Sequence, residues 1–189
     1  FRAGVTHGGF LDDLRAELSR GVRRVGVSAV QFQTGLRMPI EAMGQLCHEY
    51  GAELFVDGIQ AVGSTPLDLS HVDYRAAGSH KWMMGCMGTG VLYVAAGAAQ
   101  QLIPRTAGWL SHDDDLAFLN AGAGHLRYDH PFRKRASVFE GGAASALVMA
   151  ALRAGIQPLL QLGVDNIWQH IQHWHDAVEP FLIDLGYRS

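Results

Sequence analysis

Short apolar runs rich in β-branched residues alternate with segments of helical periodicity in the first half of this chain, and that alternation admits few folds. Phe10, Leu11, Leu14 and Leu18 recur at helical intervals with Asp12, Asp13 and Glu17 between them, predicting a helix over 10–20. Residues 25–30 read as a buried strand. Pro39 stands where a first helical turn accepts it, and Ile40, Met43, Leu46, Cys47 and Tyr50 form a stripe that stops at Gly51. Leu54-Phe55-Val56 is a second buried strand, closed by Asp57, and 74–77 and 91–94 supply a third and a fourth. Strands separated by helices at this spacing predict an α/β domain with a mainly parallel sheet, whose functional edge is the carboxyl end of its strands.

Periodicity fades over 104–140, where Gly, Asp and His accumulate; such a stretch is expected over a site or at a subunit contact. Residues 141–155 return to small apolar helix formers. Residues 159–185 read as one long amphipathic helix with Leu162, Ile167, Ile171, Trp174, Val178 and Phe181 inside and Pro180 as a kink or early end.

Composition excludes several function classes. With 48% hydrophobic residues and a net charge of −3 over 189 residues, general disorder is ruled out. Fifteen cations face eighteen acids, and the longest basic run is Arg133-Lys134-Arg135, so no nucleic-acid surface is expected. No run of about 18 apolar residues occurs, so no membrane span is expected. The opening Phe1-Arg2-Ala3-Gly4 lacks a Met and the basic-then-apolar order of a signal peptide. Two cysteines make no disulfide framework, and a reduced cytoplasmic setting is expected. Only Lys81 and Lys134 are Lys among the fifteen cations, which makes each Lys easy to interrogate.

The chemistry concentrates in Asp57-Gly58-Ile59-Gln60, Gly78-Ser79-His80-Lys81-Trp82 and Gly85-Cys86-Met87-Gly88-Thr89-Gly90. A carboxylate closing an apolar strand costs free energy unless a cation meets it, and a protonated ring nitrogen is such a cation. Gln60 is placed to reach a ring substituent. Apolar neighbours of Lys81 favour its nucleophilic amine, the state a Schiff base needs. Gly78, Ser79 and His80 offer a turn, a hydroxyl and an imidazole suited to a phosphate. Together these are the parts that bind pyridoxal phosphate. Singly, Asp57 also reads as a helix N-cap with Gln60 completing a capping box, and Lys81 as a snorkelling surface residue.

Other signals are weaker. Gly85-x-x-Gly88-x-Gly90 precedes a strand, whereas a nucleotide loop opens a helix. His170, His173 and His175 read as a solvated helix face rather than a metal set, and His112-Asp113-Asp114-Asp115 as a solvated charge run. Cys47 reads as a packed small hydrophobe, and Cys86 has no visible base beside it.

Taken with Val27-Ser28, Thr34-Gly35, Gly88-Thr89-Gly90-Val91-Leu92-Tyr93-Val94 and Phe139-Glu140-Gly141-Gly142, these motifs make the chain resemble the class V aminotransferases of fold-type I pyridoxal-phosphate enzymes. The His80-Lys81-Trp82 form is most similar to the isopenicillin N epimerase-like branch, related to the cysteine desulfurases. The resemblance implies a transferase-like large domain of the aspartate aminotransferase type over 1–158, incomplete at both ends, and a helix over 159–189 leading towards a small domain. It further implies Asp57 at the pyridinium nitrogen, Gln60 at the ring hydroxyl, Ser79 and His80 at the phosphate and Lys81 in the internal aldimine. An amino-acid-like substrate and a homodimer follow from the same likeness, with transamination, epimerisation or elimination as the outcome. Departures from the pattern are Phe32 where desulfurases carry Asn, Gly78 where many relatives carry a phosphate-binding Ser, and Ala143 where a Thr is usual, with Ser145 near it. The competing expectation is a noncatalytic scaffold that keeps the fold as an interaction module.

Overall fold

The computed structural model describes residues 7–114, 116–122, 124 and 129–187. The N-terminal tetrapeptide and Asp115 of the acidic run lie outside them. In chain order the elements are α1 (His7–Leu18), β1 (Arg24–Ser28), α2 (Ile40–Glu49), β2 (Glu53–Asp57), β3 (Tyr74–Gly78), β4 (Gly90–Val94), α3 (Ala96–Gln101), α4 (Phe118–Ala121), a 3-10 turn (Ala136–Phe139), α5 (Ala146–Leu162) and α6 (Val164–Asp184).

The sheet runs β1-β2-β3-β4, with β1, β2 and β3 parallel and β4 antiparallel to β3. The parallel pairs match the expectation. β4 reverses because the connection over 79–89 is too short for the crossover that a parallel partner requires. Alternation along β2 sorts its side chains: Leu54 and Val56 are fully buried while Phe55 is exposed. The buried face packs on α2 and α1, where Met43, Leu46 and Cys47 meet Phe10, Leu14 and Leu18 in the main core. A smaller core joins Ala77 of β3 to Met83 and to Leu152 of α5. Register aligns Ser28, Asp57, Ala76 and Leu92 as one row across the four strands, on the face that Phe55 and Leu92 leave exposed.

The C-terminal helices depart from the sequence expectation. α5 starts at Ala146 rather than 141, because Gly141 packs backbone to backbone against Gly108 and is held out of the helix. It continues through Pro158 to Leu162 and stops at Gly163, whose φ of 80° lies in the left-handed region. α6 leaves at a bend of 76° and runs past Pro180, so the single helix over 159–185 is instead two. Its stripe is also not interior: Leu162, Trp174 and Phe181 are 59%, 60% and 63% exposed. Periodicity reports that a helix has an apolar face and says nothing about what covers it. No single described helix is long and apolar enough to cross a membrane.

Candidate active site

Parallel β2 and β3 deliver their last residues to the same edge of the sheet, which sets the site. Asp57 ends β2 with both carboxylate oxygens engaged: Oδ2 accepts from Ser28 Oγ at 3.1 Å, and Oδ1 accepts from the Ile59 amide at 3.0 Å. The second bond is a local Asx turn, so the capping reading of Asp57 is partly realised, in a turn rather than a helix. Beside Asp57 a shallow groove of about 380 Å³ is floored by Ala76, Gly78 and Gly90. These small residues leave a bare surface on which a planar ring can lie.

Gln60 and Lys81 share a different depression, a cleft of about 810 Å³ between the turn after β3 and the α5–α6 bend, walled by Trp82, Leu159, Leu162 and Ile167. Lys81 is half-buried, and its Nζ lies 5.7 Å from the Phe32 ring centroid, a cation–π distance. Three residues of chain separate Asp57 from Gln60, and three separate Gly78 from Lys81, so the same two turns serve the groove and the cleft. His80 is exposed and folds back towards Gly78: a Cβ built there would stand 3.1 Å from His80 Cε1 and 3.3 Å from Ile59 Cδ1.

Ser79 is the one expected site residue that the structure turns inward. It is fully buried, its Oγ donates to the Cys86 carbonyl at 2.7 Å, its amide to Thr89 at 3.0 Å, and its carbonyl accepts from Gly85 at 2.8 Å. Its hydroxyl closes the loop that carries Lys81 instead of facing a ligand. Two glycines brace that loop from outside. A Cβ on Gly63 would meet the Trp82 carbonyl oxygen at 2.9 Å, and one on Gly155 of α5 the Met83 and Met84 carbonyl oxygens at 2.6 and 2.7 Å. Met84 itself has a φ of 53°, an uncommon left-handed non-glycine.

Sequence reasoning missed Asn166 and His170, which reach the cleft from α6. The four-residue steps from Leu162 to Asn166 and from Asn166 to His170 were the available signal, but the 76° bend that turns them towards Lys81 is not written in periodicity. His170 keeps the solvent exposure expected for it while edging the cleft, and its Nε2 accepts from Trp174 Nε1 at 3.1 Å. No group of three or more metal-ligating side chains occurs among the described residues. In the acidic run, His112 stacks on Phe132 at 5.1 Å and its backbone bridges that residue.

A carboxylate at a strand tip, a lysine amine just past the adjacent strand end and an imidazole at the rim, on an α/β sheet with β4 reversed, match the large-domain architecture of fold-type I pyridoxal-phosphate enzymes. The donor types suit that cofactor: an anion for its ring nitrogen in the groove, an amine for its aldehyde in the neighbouring cleft, and side-chain donors at the edge. The chain belongs to the aminotransferase class-V family, whose profile matches residues 3–186. It is 28% identical over 148 residues to the uncharacterized aminotransferase YcbU of Bacillus subtilis, covering 77% of this chain and 37% of that one. It is 27% identical over 165 residues to a cysteine desulfurase of Escherichia coli O1:K1, covering 86% and 38%. Among solved structures, a mutant of C-DES with glycine covalently linked to its pyridoxal-phosphate cofactor superposes with a TM-score of 0.72 at 26% identity, over 88% of this chain and 42% of that one. The chain thus spans well under half the length of these relatives.

Proposed function

We propose that this chain holds pyridoxal phosphate through Lys81 in an enzyme that acts on an amino acid or related amine. The observation that carries the reading is the shared cleft of Gln60 and Lys81, one turn from the strand-end carboxylate of Asp57. Bound there, the cofactor supplies an electron sink for negative charge developing at the substrate α-carbon. Asp57 keeps a proton on the ring nitrogen by placing a fixed negative charge beside it, and the Ser28 hydroxyl and Ile59 amide hold that carboxylate in one orientation. Gln60 would donate to the ring hydroxyl, and His80, exposed at the groove rim, would hold the phosphate. Lys81 would hold the aldehyde end through Nζ, and its amine would carry the proton at the substrate α-carbon. Ser79 acts through the loop it closes and is a positioning residue.

The relatives support transamination or carbon–sulfur cleavage as the outcome, and epimerisation belongs to the same proposal. A homodimer and a reducing, cytoplasmic setting are part of it too; two free thiols, Cys47 and exposed Cys86, support the latter. The test is the visible spectrum of the intact protein with added pyridoxal phosphate. A band characteristic of lysine-bound cofactor is expected, absent in Lys81→Ala and weakened in Asp57→Asn. A band that persists unchanged in Lys81→Ala overturns the assignment.

A further inference from the structure

The cleft at Lys81 is much larger than the amine chemistry alone requires. Its volume, about 810 Å³, lies within the range of roughly 300–1,000 Å³ typical of pockets that enclose whole small molecules. Even with the cofactor's reactive end beside Lys81, an amino acid with a one-carbon side chain would leave much of that space filled by water against apolar walls, which is unfavourable. The walls are Trp82, Met84, Leu159, Leu162 and Ile167. Polar groups come from two places only: Gln60 and Lys81 on the strand-end side, and Asn166 and His170 on α6.

The polar groups on α6 are already partly used. Asn166 Nδ2 donates to the Leu162 carbonyl at 2.7 Å, and His170 Nε2 accepts from Trp174. Among the described residues, no Arg lines the cleft to match a second carboxylate, and no Asp or Glu lines it to match a distal cation. Charge complementarity therefore disfavours both acidic and basic side chains. The walls are also held in place. Gly63 and Gly155 press the Trp82–Met84 backbone from two sides, and Arg37, anchored to the Pro66 carbonyl at 2.8 Å, places its guanidinium 4.9 Å over the Trp168 ring of α6. A cleft with fixed apolar walls selects by shape and apolar area.

We propose that the substrate is an amine with a large aliphatic or aromatic side chain, which occupies the cleft between the Lys81 turn and α6 while its amino group meets Lys81. The inference rests on the assignment of Lys81 above, and two measurements separate the failures. Cofactor-free intact protein is titrated with 3-phenylpropionate and with propionate, followed by tryptophan fluorescence. The phenyl compound binds at least tenfold more tightly, its signal is lost in Trp82→Phe, and Ile167→Trp, which fills the cleft, erases the preference. In the cofactor-loaded protein, the visible band responds to L-phenylalanine at a concentration at least tenfold below that needed with L-alanine. No visible band in the wild type sinks the Lys81 assignment and leaves the fluorescence arm to decide the cleft. Equal affinities in either arm, a preference that survives Ile167→Trp, or no fluorescence response because another segment or a second copy fills the cleft overturns the inference.

Discussion

Gly63→Ala is the most incisive perturbation of the Lys81 turn, because it adds one methyl group against the turn's backbone without altering any group assigned to the chemistry. Gly63 has a φ of 103°, outside the range that residues with a side chain adopt readily, and holding Ala there costs about 1–3 kcal/mol. The new Cβ would also stand 2.9 Å from the Trp82 carbonyl oxygen and 3.0 Å from its carbon. Those are backbone atoms, so the turn itself must move; Leu159 Cδ1 at 3.1 Å is the end of a flexible side chain and can rotate away. Gly88→Ala in the same loop is the control. Its φ is 83°, but nothing lies within 4 Å of the added Cβ, so it reports conformational strain without the contact. Urea denaturation of both variants, with m unchanged, separates the two contributions. Gly88→Ala should lose about 1–2 kcal/mol. Gly63→Ala should lose about 2–4 kcal/mol and should also weaken the lysine-bound cofactor band, since Trp82 adjoins Lys81. Equal midpoints and equal bands for the two variants would refute the claim that Gly63 sets the position of the lysine turn.

Three further outcomes follow from the geometry. Ser28→Ala removes the hydroxyl that holds Asp57 Oδ2, and cofactor affinity measured by titrating the visible band should fall about fivefold to tenfold, near 1 kcal/mol; an unchanged affinity means the carboxylate needs no such support. Arg75 on β3 has a buried Nε without a hydrogen-bond partner, its guanidinium lies 6.0 Å from the Tyr93 ring centroid, and burial pulls its pKa below the ordinary arginine value. Arg75→Leu should therefore be neutral or stabilising by up to about 1–2 kcal/mol in the same denaturation assay, and a clear loss of stability would reveal a partner. Burial and, secondarily, the Asp73 carboxylate push the Cys47 thiol up to about 11 from 9.0, so an aromatic disulfide reagent at pH 8 should label exposed Cys86 and spare Cys47. The native state favours the neutral thiol, so this contribution to stability is present below pH 9.0 and lost as pH rises towards 11; a midpoint flat across that window in wild type but not in Cys47→Ala would contradict the sign.

What could be read from the sequence divides along physical lines. Elements with a partner inside the chain were legible: the stripe of α2 and the alternation of β2 are written by the core they build, and both lie within one or two residues of expectation. Asp57, Gln60, His80 and Lys81 stood out in the sequence because a charged or amide group at a strand end demands a reason, and the structure puts Gln60 and Lys81 in one cleft with Asp57 in the neighbouring groove. The role of Ser79 was not, since a hydroxyl before a lysine serves a ligand or a loop equally well, and only the 2.7 Å bond to Cys86 distinguishes them. The bend at Gly163 was hidden for a related cause. A glycine between two helical patterns is compatible with a continuous helix at a cost of about 1 kcal/mol, and periodicity alone does not say that its φ turns positive; Arg37, far away in sequence, packs on Trp168 just beyond the bend.

The inward turn of Ser79 and the reversal of β4 are two aspects of one device. Because β4 returns antiparallel from the edge where β3 ends, the segment that carries Lys81 is a loop tied at both feet, Ser79 to Thr89 through the backbone and Ser79 to Cys86 through the hydroxyl. α5 presses on its outside through Gly155, and the turn after β2 presses through Gly63. A parallel fourth strand would have needed a long crossover and would have left the lysine on a free-standing connection. With the backbone fixed in this way, only the side-chain torsions of Lys81 remain to be ordered when its amine is engaged, and the associated entropic cost is small compared with ordering a loop. Ser79, two residues before the amine, thus contributes by facing away from it.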